Sequence, residues 1–568
     1  MAAPGNEIEL LSGGTQQDDN RRIGWAQNLW NISGTVSVRP GWGQVAEMDT
    51  TLGLNLKAAS GSPGFASQEY GYNEHLGSHY IKTLFGHDQI VSLFTASGNS
   101  GNMFGEVKPF RWDDYLIVRI YDLTTNRSWE EVLHRHTSER VLGGALPLSI
   151  FSPASIQPSL PSQWFGCYES SNDRDNTSFV PGKADGEWFF QVYQNNLYFG
   201  ASGQGIYMYQ PADFKGLRRQ QVETSNEFSW GTGYSESSVV KRLGFSPGIY
   251  EDGFVYVDDS ALGGVRASCV FRDRIAFATD HQVFFSDPGR VSNIIAINFI
   301  QCPSARKITA IAELRGNLVI FTSHETYLYI PNEGTVISRG RPPVNISSDV
   351  GCVAPQATTH ADNALFWVAH SGVYSTSDGV TVKEMSKNIR SFWPTNGEMT
   401  NPMTSYFETA LKGHVDISSV TPPRTLIDFD PTQVTIAYNQ AKKALLLGAP
   451  NLNGSWCLSG GGWSWWPMES VASESGGLPI VDTQQNLLRP FILCSKSDFY
   501  AVCGVYSQVM TNNALIHLDG DPAGAATDSD GSNFILTRLG LGGGLDRSSD
   551  EEDDRLGSGH YIAVQKGG

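Results

Sequence analysis

One arrangement of apolar and polar residues returns along the middle of the chain. A polar turn leads into an apolar strand start, then a second apolar or aromatic residue two positions on, a small residue, and another apolar-aromatic pair. It runs as Asn195-Asn196-Leu197-Tyr198-Phe199-Gly200-Ala201 with Ile206-Tyr207, and as Arg274-Ile275-Ala276-Phe277-Ala278-Thr279 with Val283-Phe284. It returns as Asn317-Leu318-Val319-Ile320-Phe321-Thr322 with Thr326-Tyr327, and as Ala364-Leu365-Phe366-Trp367-Val368-Ala369 with Val373-Tyr374. A weaker copy starts at Ala444-Leu445-Leu446-Leu447. Apolar runs of about six residues with period-2 character, parted by three or four turn residues, mark an antiparallel hairpin with a buried face. Leu318 follows Ile275 by 43 residues and Leu365 follows Leu318 by 47, whereas 78 separate Ile275 from Leu197 and 80 separate Leu445 from Leu365. A unit of about 40–50 residues is the size of a four-stranded propeller blade. The two long gaps predict a degenerate copy inside each.

Further strands are predicted at Asp88–Phe94 and Asp114–Asp122 upstream, and at Pro490–Cys494 and Asp498–Val502 downstream. The fold class expected is therefore all-β dominated, a β-propeller of about six to eight blades over residues 25–505. An insertion is expected at about 125–185, where Ser128-Trp129-Glu130-Glu131 has the form of a capping box and predicts a helix. Pro147, Pro153, Pro158 and Pro161 then interrupt regular structure, so a partly helical projection follows. Residues 1–24 read as an extended N-terminal arm and 506–568 as a Gly-rich acidic C-terminal segment, solvated and flexible over 519–557.

Composition supports a turn-dense β protein. The 568 residues include 60 glycines, and only 17% are charged, against an ordinary share of about 25%. With 40% apolar residues, among them 14 Trp, 21 Tyr and 28 Phe, there is ample material for a core. No run reaches the roughly 18–20 apolar residues that span a bilayer, and Met1–Asp19 lacks the basic and apolar regions of a signal peptide. A soluble protein folded in a cytosol is expected. The seven cysteines are scattered, without a C-x-x-C pair, so small buried thiols are expected rather than disulfides or a zinc ribbon. A net charge of −18 argues against tight wrapping of nucleic acid.

The sequence carries no phosphate loop, nucleophile elbow or zinc-protease helix, and no catalytic, cofactor-binding or metal residue is expected. His75 and His79 have the i, i+4 spacing of two helix-borne ligands, but Gly77 lies between them and a surface loop is expected. Asp528 and Asp530 resemble the first half of a calcium loop without its closing Glu. Thr376-Ser377-Asp378-Gly379-Val380-Thr381 resembles a sialidase-type Asp box, yet lacks the residue between Asp and Gly and the closing Trp, so a hairpin turn is expected. Trp456, Trp463, Trp465 and Trp466 could stack on sugar rings, with blade packing or a subunit interface the preferred reading. The sequons at Asn31 and Asn345 carry no weight without a secretory signal.

Two segments bring a family into view. Ala26-Gln27-Asn28-Leu29-Trp30-Asn31-Ile32-Ser33-Gly34, continuing through Arg39-Pro40-Gly41-Trp42, resembles the start of virion proteins of tailed bacteriophages, where "N-L-x-x-x-x-G-x-x-x-x-R-P-G" precedes a propeller. Asp362–Gly379 looks like a blade hairpin of the same proteins, and with Ile346–Gly351 the whole is similar to the tail nozzle (tail tube B, or DNA-stabilisation) proteins of short-tailed phages. The resemblance spans about residues 25–505. It implies a structural virion protein in the tail, assembled in the bacterial cytoplasm as a homo-hexamer beneath the portal and tail adaptor. Tail fibres or tailspikes would be neighbours, genomic double-stranded DNA would pass without specific binding, and no enzyme activity, cofactor or membrane anchor is implied. Two other classes stay open. A glycan-binding or glycan-cleaving propeller would need paired carboxylates, for which Asp258-Asp259 and Asp428/Asp430 are candidates. A cytosolic scaffold propeller unrelated to phage needs no site at all.

Overall fold

The structure is a computed structural model. It describes residues 23–27, 29–32, 35–38, 43–47, 71–84, 86–97, 115–124, 127–134, 140–142, 187–211, 239–242, 248–249, 255–256, 264–332, 341–387, 389, 433–449, 454–467, 487–506, 514–518 and 538–541. Four strands come first: β1 (Ile23–Gln27), β2 (Leu29–Ile32), β3 (Thr35–Val38) and β4 (Gly43–Glu47). A five-stranded antiparallel sheet follows, of β5 (Gly71–Lys82), β6 (Asp88–Ser97), β7 (Tyr115–Asp122), β8 (Arg127–His134) and β9 (Arg140–Leu142). The next is β10 (Phe189–Tyr193), β11 (Asn196–Ala201), β12 (Gly205–Gln210) and β13 (Val239–Arg242). Then β16 (Ala267–Phe271), β17 (Arg274–Ala278), β18 (Gln282–Asp287) and β19 (Arg290–Gln301) form a sheet, extended by the short β14 (Gly248–Ile249) and β15 (Val255–Tyr256) beside β19.

Two four-stranded meanders continue the series. One is β20 (Ile308–Leu314), β21 (Asn317–Thr322), β22 (Thr326–Tyr329) and β23 (Val344–Ser347); the other is β24 (Thr358–Ala361), β25 (Ala364–Ala369), β26 (Gly372–Thr376) and β27 (Lys383–Glu384). The sixth holds β28 (Thr435–Asn439), β29 (Ala444–Ala449), β30 (Gly454–Ser459) and β31 (Gly462–Pro467). The protein is thus all-β in a six-bladed β-propeller arrangement of consecutive meanders of four or five strands, as the repeat predicted. A seventh sheet joins β32 (Leu487–Cys494), β33 (Phe499–Tyr506) and β34 (Ala514–His517) to β4, with Leu515 opposite Ala46. At the sixth sheet, β1 runs parallel to β31, and β35 (Arg538–Leu541) pairs with β1.

The sheets fall into two compact units, one centred on 48–322 with 327–345, the other holding the N-terminal strands and the sheets from residue 346 on. In the first unit the middle strands are covered on both faces, which explains why they read as near-continuous apolar runs. Along β17, Ile275 and Phe277 enter a cluster with Tyr198, Ile206 and Met208, while Ala276 and Ala278 turn the other way to meet Ile311, Leu318 and Ile320. The period of 2 divides each strand between two interfaces. Likewise Leu197 and Phe199 of β11 face Val91 and Val118 of the preceding sheet, where Phe199 stacks on Tyr207. In the second unit, Trp463 donates from its indole nitrogen to the Met385 carbonyl at 2.9 Å, and Thr435 accepts from the Ile492 amide at 2.8 Å.

Several expectations are corrected. Residues 127–134 form a strand and not a helix: Trp129 lies opposite Ile120 and Val132 opposite Ile117. A single capped helical turn is marginal alone, whereas pairing with β7 satisfies a whole ladder. The two long gaps hold no skipped blade among the described residues. β10 packs directly on β16 and β24 on β28, so the extra length is inserted between β12 and β13 of one blade and between neighbouring blades. The blade body also reaches past 505, since β34 completes the seventh sheet, and 538–541 is paired strand rather than free tail. Residues 135–139 and 143–186, most of the N-terminal arm, Asp258-Asp259, Asp428/Asp430 and Asp528/Asp530 lie outside the described residues.

Candidate functional site

The buried polar groups gather between sheets. In the turn from β5 to β6, the Thr83 hydroxyl accepts from the His87 amide at 3.0 Å, fixing the imidazole beneath the strand ends. His87 Nδ1 then lies 2.8 Å from Asp122 Oδ2 on β7, and Gln89 Nε2 donates to the same oxygen at 3.3 Å. Tyr209 of β12 donates from its hydroxyl to Gln89 Oε1 at 2.9 Å, which ties the neighbouring sheet into the network. Asp122, Gln89 and Tyr209 are wholly buried and His87 nearly so. A buried carboxylate is tolerated only when its oxygens are satisfied in this way. The His-Asp pair therefore works as a fastening within its own sheet, and the Tyr209–Gln89 bond carries the network to the next one.

Further along, Asp280 in the turn after β17 is held by Arg266 and by Lys307 Nζ at 3.3 Å. Burial works against the charge, but the two cations outweigh it and keep the carboxyl below its usual range. Tyr193 at the end of β10 donates to the Asp273 carbonyl at 2.6 Å. In the other unit, Tyr438 of β28 donates to Asp362 Oδ2 at 3.1 Å, and Lys442 reaches Asp498 at 3.1 Å. The turns at Asp273, Asp362 and Lys442, each after the first strand of a blade, are thus cross-linked to a neighbouring sheet.

The residues singled out in the sequence are placed as follows. His75 and His79 lie on β5 and not in a loop. His75 packs on Phe94 with ring centroids 5.1 Å apart and bonds Ser78 at 2.8 Å, while His79 stacks on Phe190 of β10 at 6.0 Å. Register shifts beside Gly77, whose φ is +150°, bulge the strand between them. Desolvation pushes their pKa values down to about 3 and about 4, so both are neutral packing groups. Asp378 sits in the expected turn and accepts from the Thr381 and Val380 amides at 2.7 and 2.8 Å, bonds that hold its carboxyl well below the usual range. Trp456, Trp463 and Trp466 are buried, which removes them as a sugar platform and bears out blade packing. Burial pushes the Cys352 thiol up to about 12 and Cys269 higher still, and both are buried thiols, as expected. Among the described residues no three His, Cys, Asp or Glu side chains gather where a metal could be held.

Sequence reasoning missed the His87–Asp122 network, since its members are 35 residues apart and ordinary in type. It also passed over the turns themselves. Gln194, Asn195, Arg272, Arg315, Asp362 and Lys443 have positive φ without being glycine, and every one lies between the first and second strands of a blade.

No protein-family model matches the chain, and no curated protein does. Similarity to solved structures is distant. The sialidase of Trypanosoma rangeli, solved with the inhibitor DANA, aligns at 11% identity and a TM-score of 0.32 over 85% of this chain and 60% of its own. The Neurospora crassa Pan2 WD40 domain aligns at 7% and 0.33 over 86% and 99%, and the Myceliophteria thermophila Cps50 (Swd1) β-propeller domain at 9% and 0.33 over 79% and 99%. The chain spans less than two thirds of the sialidase. Its own sheets make it a β-propeller protein, and its similarity to WD40 and sialidase propellers is distant.

Proposed function

We propose that the protein is a structural component of a virion, the tail nozzle of a short-tailed phage, which closes the DNA channel below the portal and adaptor and conducts DNA at ejection. The observation that carries the reading is the fate of the segment with the nozzle-like sequence. The strands at either end of this stretch add to blades, β1 beside β31 and β4 beside β34. A unit whose sheets take strands from both ends of the chain suits a load-bearing ring subunit. The polar clusters give further support, because Tyr209–Gln89, Asp280–Lys307 and Lys442–Asp498 link neighbouring sheets. The assembly is a homo-hexamer closed by heterologous lateral contacts, with tail adaptor and fibre or tailspike proteins as neighbours. Six copies multiply the −18 of one chain, a field that disfavours tight retention of DNA.

Sedimentation and native mass measurement test this. A particle of six 62.0 kDa chains, alone or on addition of a portal-adaptor complex, is expected. A protein that stays monomeric at every concentration and never joins such a complex is no nozzle.

A further inference from the structure

We propose that His324 and His370 form a surface site for a divalent late first-row transition metal such as Zn²⁺. The site does not depend on the nozzle reading. His324 lies in the turn between β21 and β22, and His370 in the turn between β25 and β26, so corresponding turns of two successive blades supply the two rings. Both belong to one compact unit, which takes Ser323–Thr326 together with the chain from residue 346 on. Their ring centroids are 5.2 Å apart, with the planes inclined by 33°. Metal–nitrogen bonds of about 2.0–2.1 Å at a tetrahedral angle put the centres of two ligand rings about 5 Å apart. The pair therefore already has the separation that a shared ion requires.

The surroundings of the two rings give a second, independent observation. Ser323 Oγ lies 2.8 Å from His324 Nδ1. With the hydroxyl accepting from Nδ1–H, Nε2 keeps the lone pair that a metal takes, and such an outer hydrogen bond is what orients a ligating histidine. Two residues on, the buried Thr326 hydroxyl donates to the Val350 carbonyl at 2.6 Å, which fastens this turn to the chain leading into the next blade. On the other side, the Ser371 and Tyr374 hydroxyls are 2.8 Å apart, and the Val373 amide donates to the buried Ser386 hydroxyl at 3.0 Å. Both histidines are exposed, so an ion reaches them from solvent, and a chain of net −18 draws cations. Imidazole nitrogen suits Zn²⁺, Ni²⁺ and Cu²⁺, whereas Mg²⁺ and Ca²⁺ take oxygen ligands. Among the described residues no third His, Cys, Asp or Glu joins the pair. Water therefore fills the other positions, and the bound ion is exchangeable.

The test is calorimetric titration of the untagged full-length protein with ZnCl₂ in a buffer that does not bind metal, with MgCl₂ as the comparison ion. One saturable Zn²⁺ equivalent is expected, with Mg²⁺ unable to replace it. His324→Gln and His370→Gln are each expected to weaken that equivalent on the order of tenfold or more, because the second imidazole binds intramolecularly. The double variant is expected to lose no more than either single one, as two ligands of one ion require. Ser323→Ala is expected to weaken binding on the order of tenfold by freeing the His324 ring. His360→Gln, at an exposed histidine of the same unit outside the pair, is expected to keep the parent isotherm. All these positions are at least partly exposed, and circular dichroism melts matching the parent's would show that the fold is intact. The proposal is overturned if the parent shows no saturable Zn²⁺ uptake, if either single variant keeps the parent isotherm, or if the losses of the two single variants add in the double one. Equal loss in His360→Gln would overturn it as well.

Discussion

The sheet of β16–β19 and the sheet of β32–β34 obtain their fourth strand in opposite ways. In the first, four strands follow one another in sequence through turns as short as Arg272-Asp273, and side chains from both faces enter clusters with the sheets before and after. In the second, three C-terminal strands are completed by β4 from the far end of the chain. A local meander can form as soon as its own segment is made. A sheet that waits for a distant strand carries the loop-closure cost of the whole chain and couples both ends to the core.

The largest expected effect comes from breaking that coupling. Removing residues 1–47 takes away β1 and β4, leaving the β34 edge and β31 unpaired, and is expected to abolish a cooperative thermal transition and drive aggregation. Among the described residues, removing 519–568 takes away only β35, which pairs with β1 at the outside of its sheet, and is expected to move the midpoint by a few degrees at most. Circular dichroism melts of the two truncations give the comparison directly; equal effects would mean that the terminal strands are interchangeable trim. Within the consecutive sheets, Phe277→Ala removes a fully buried ring from the cluster shared by β11, β12 and β17. It is expected to cost about 3–5 kcal/mol in urea unfolding, a loss that leaves the N-terminal strands paired.

The same contrast explains what could be read from the sequence. The second and third strands of the blades were legible because burial on both faces gives them dense apolar runs, as in Leu318–Phe321 and Leu365–Ala369. Outer strands were not. Β23 has only exposed and half-buried positions, and β27 is two residues long, so neither carries a pattern. β8 was mistaken for a helix because Ser128 and Glu131 satisfy a local rule that pairing with β7 overrides. β4 and β35 had no local signal of their partners at all. Of the candidate chemistry, the Asp378 turn and the tryptophans were readable from type and spacing. The His87–Asp122–Gln89–Tyr209 network depends on the stacking of two sheets, and the positive-φ turns between first and second strands are visible only once φ is known.

The smallest effect concerns the seam between β5 and β10, where His79 stacks on Phe190. Burial depresses the folded pKa of His79 from 6.5 to about 4. Above pH 6.5 both folded and unfolded chains hold a neutral ring, and this group adds no pH dependence. As pH falls from 6.5 toward 4, the unfolded chain binds a proton that the folded chain refuses, so stability drops by about 1 kcal/mol per pH unit. His75, depressed to about 3 beside Phe94, adds to the drop over the same window. His79→Phe preserves the ring stack without a titrating group. It is expected to flatten the dependence of urea-unfolding free energy between pH 6.5 and 4, while His75 continues to contribute. An unchanged slope in His79→Phe would place the acid sensitivity elsewhere, and would make the β5–β10 seam an ordinary aromatic contact like those between the other consecutive sheets.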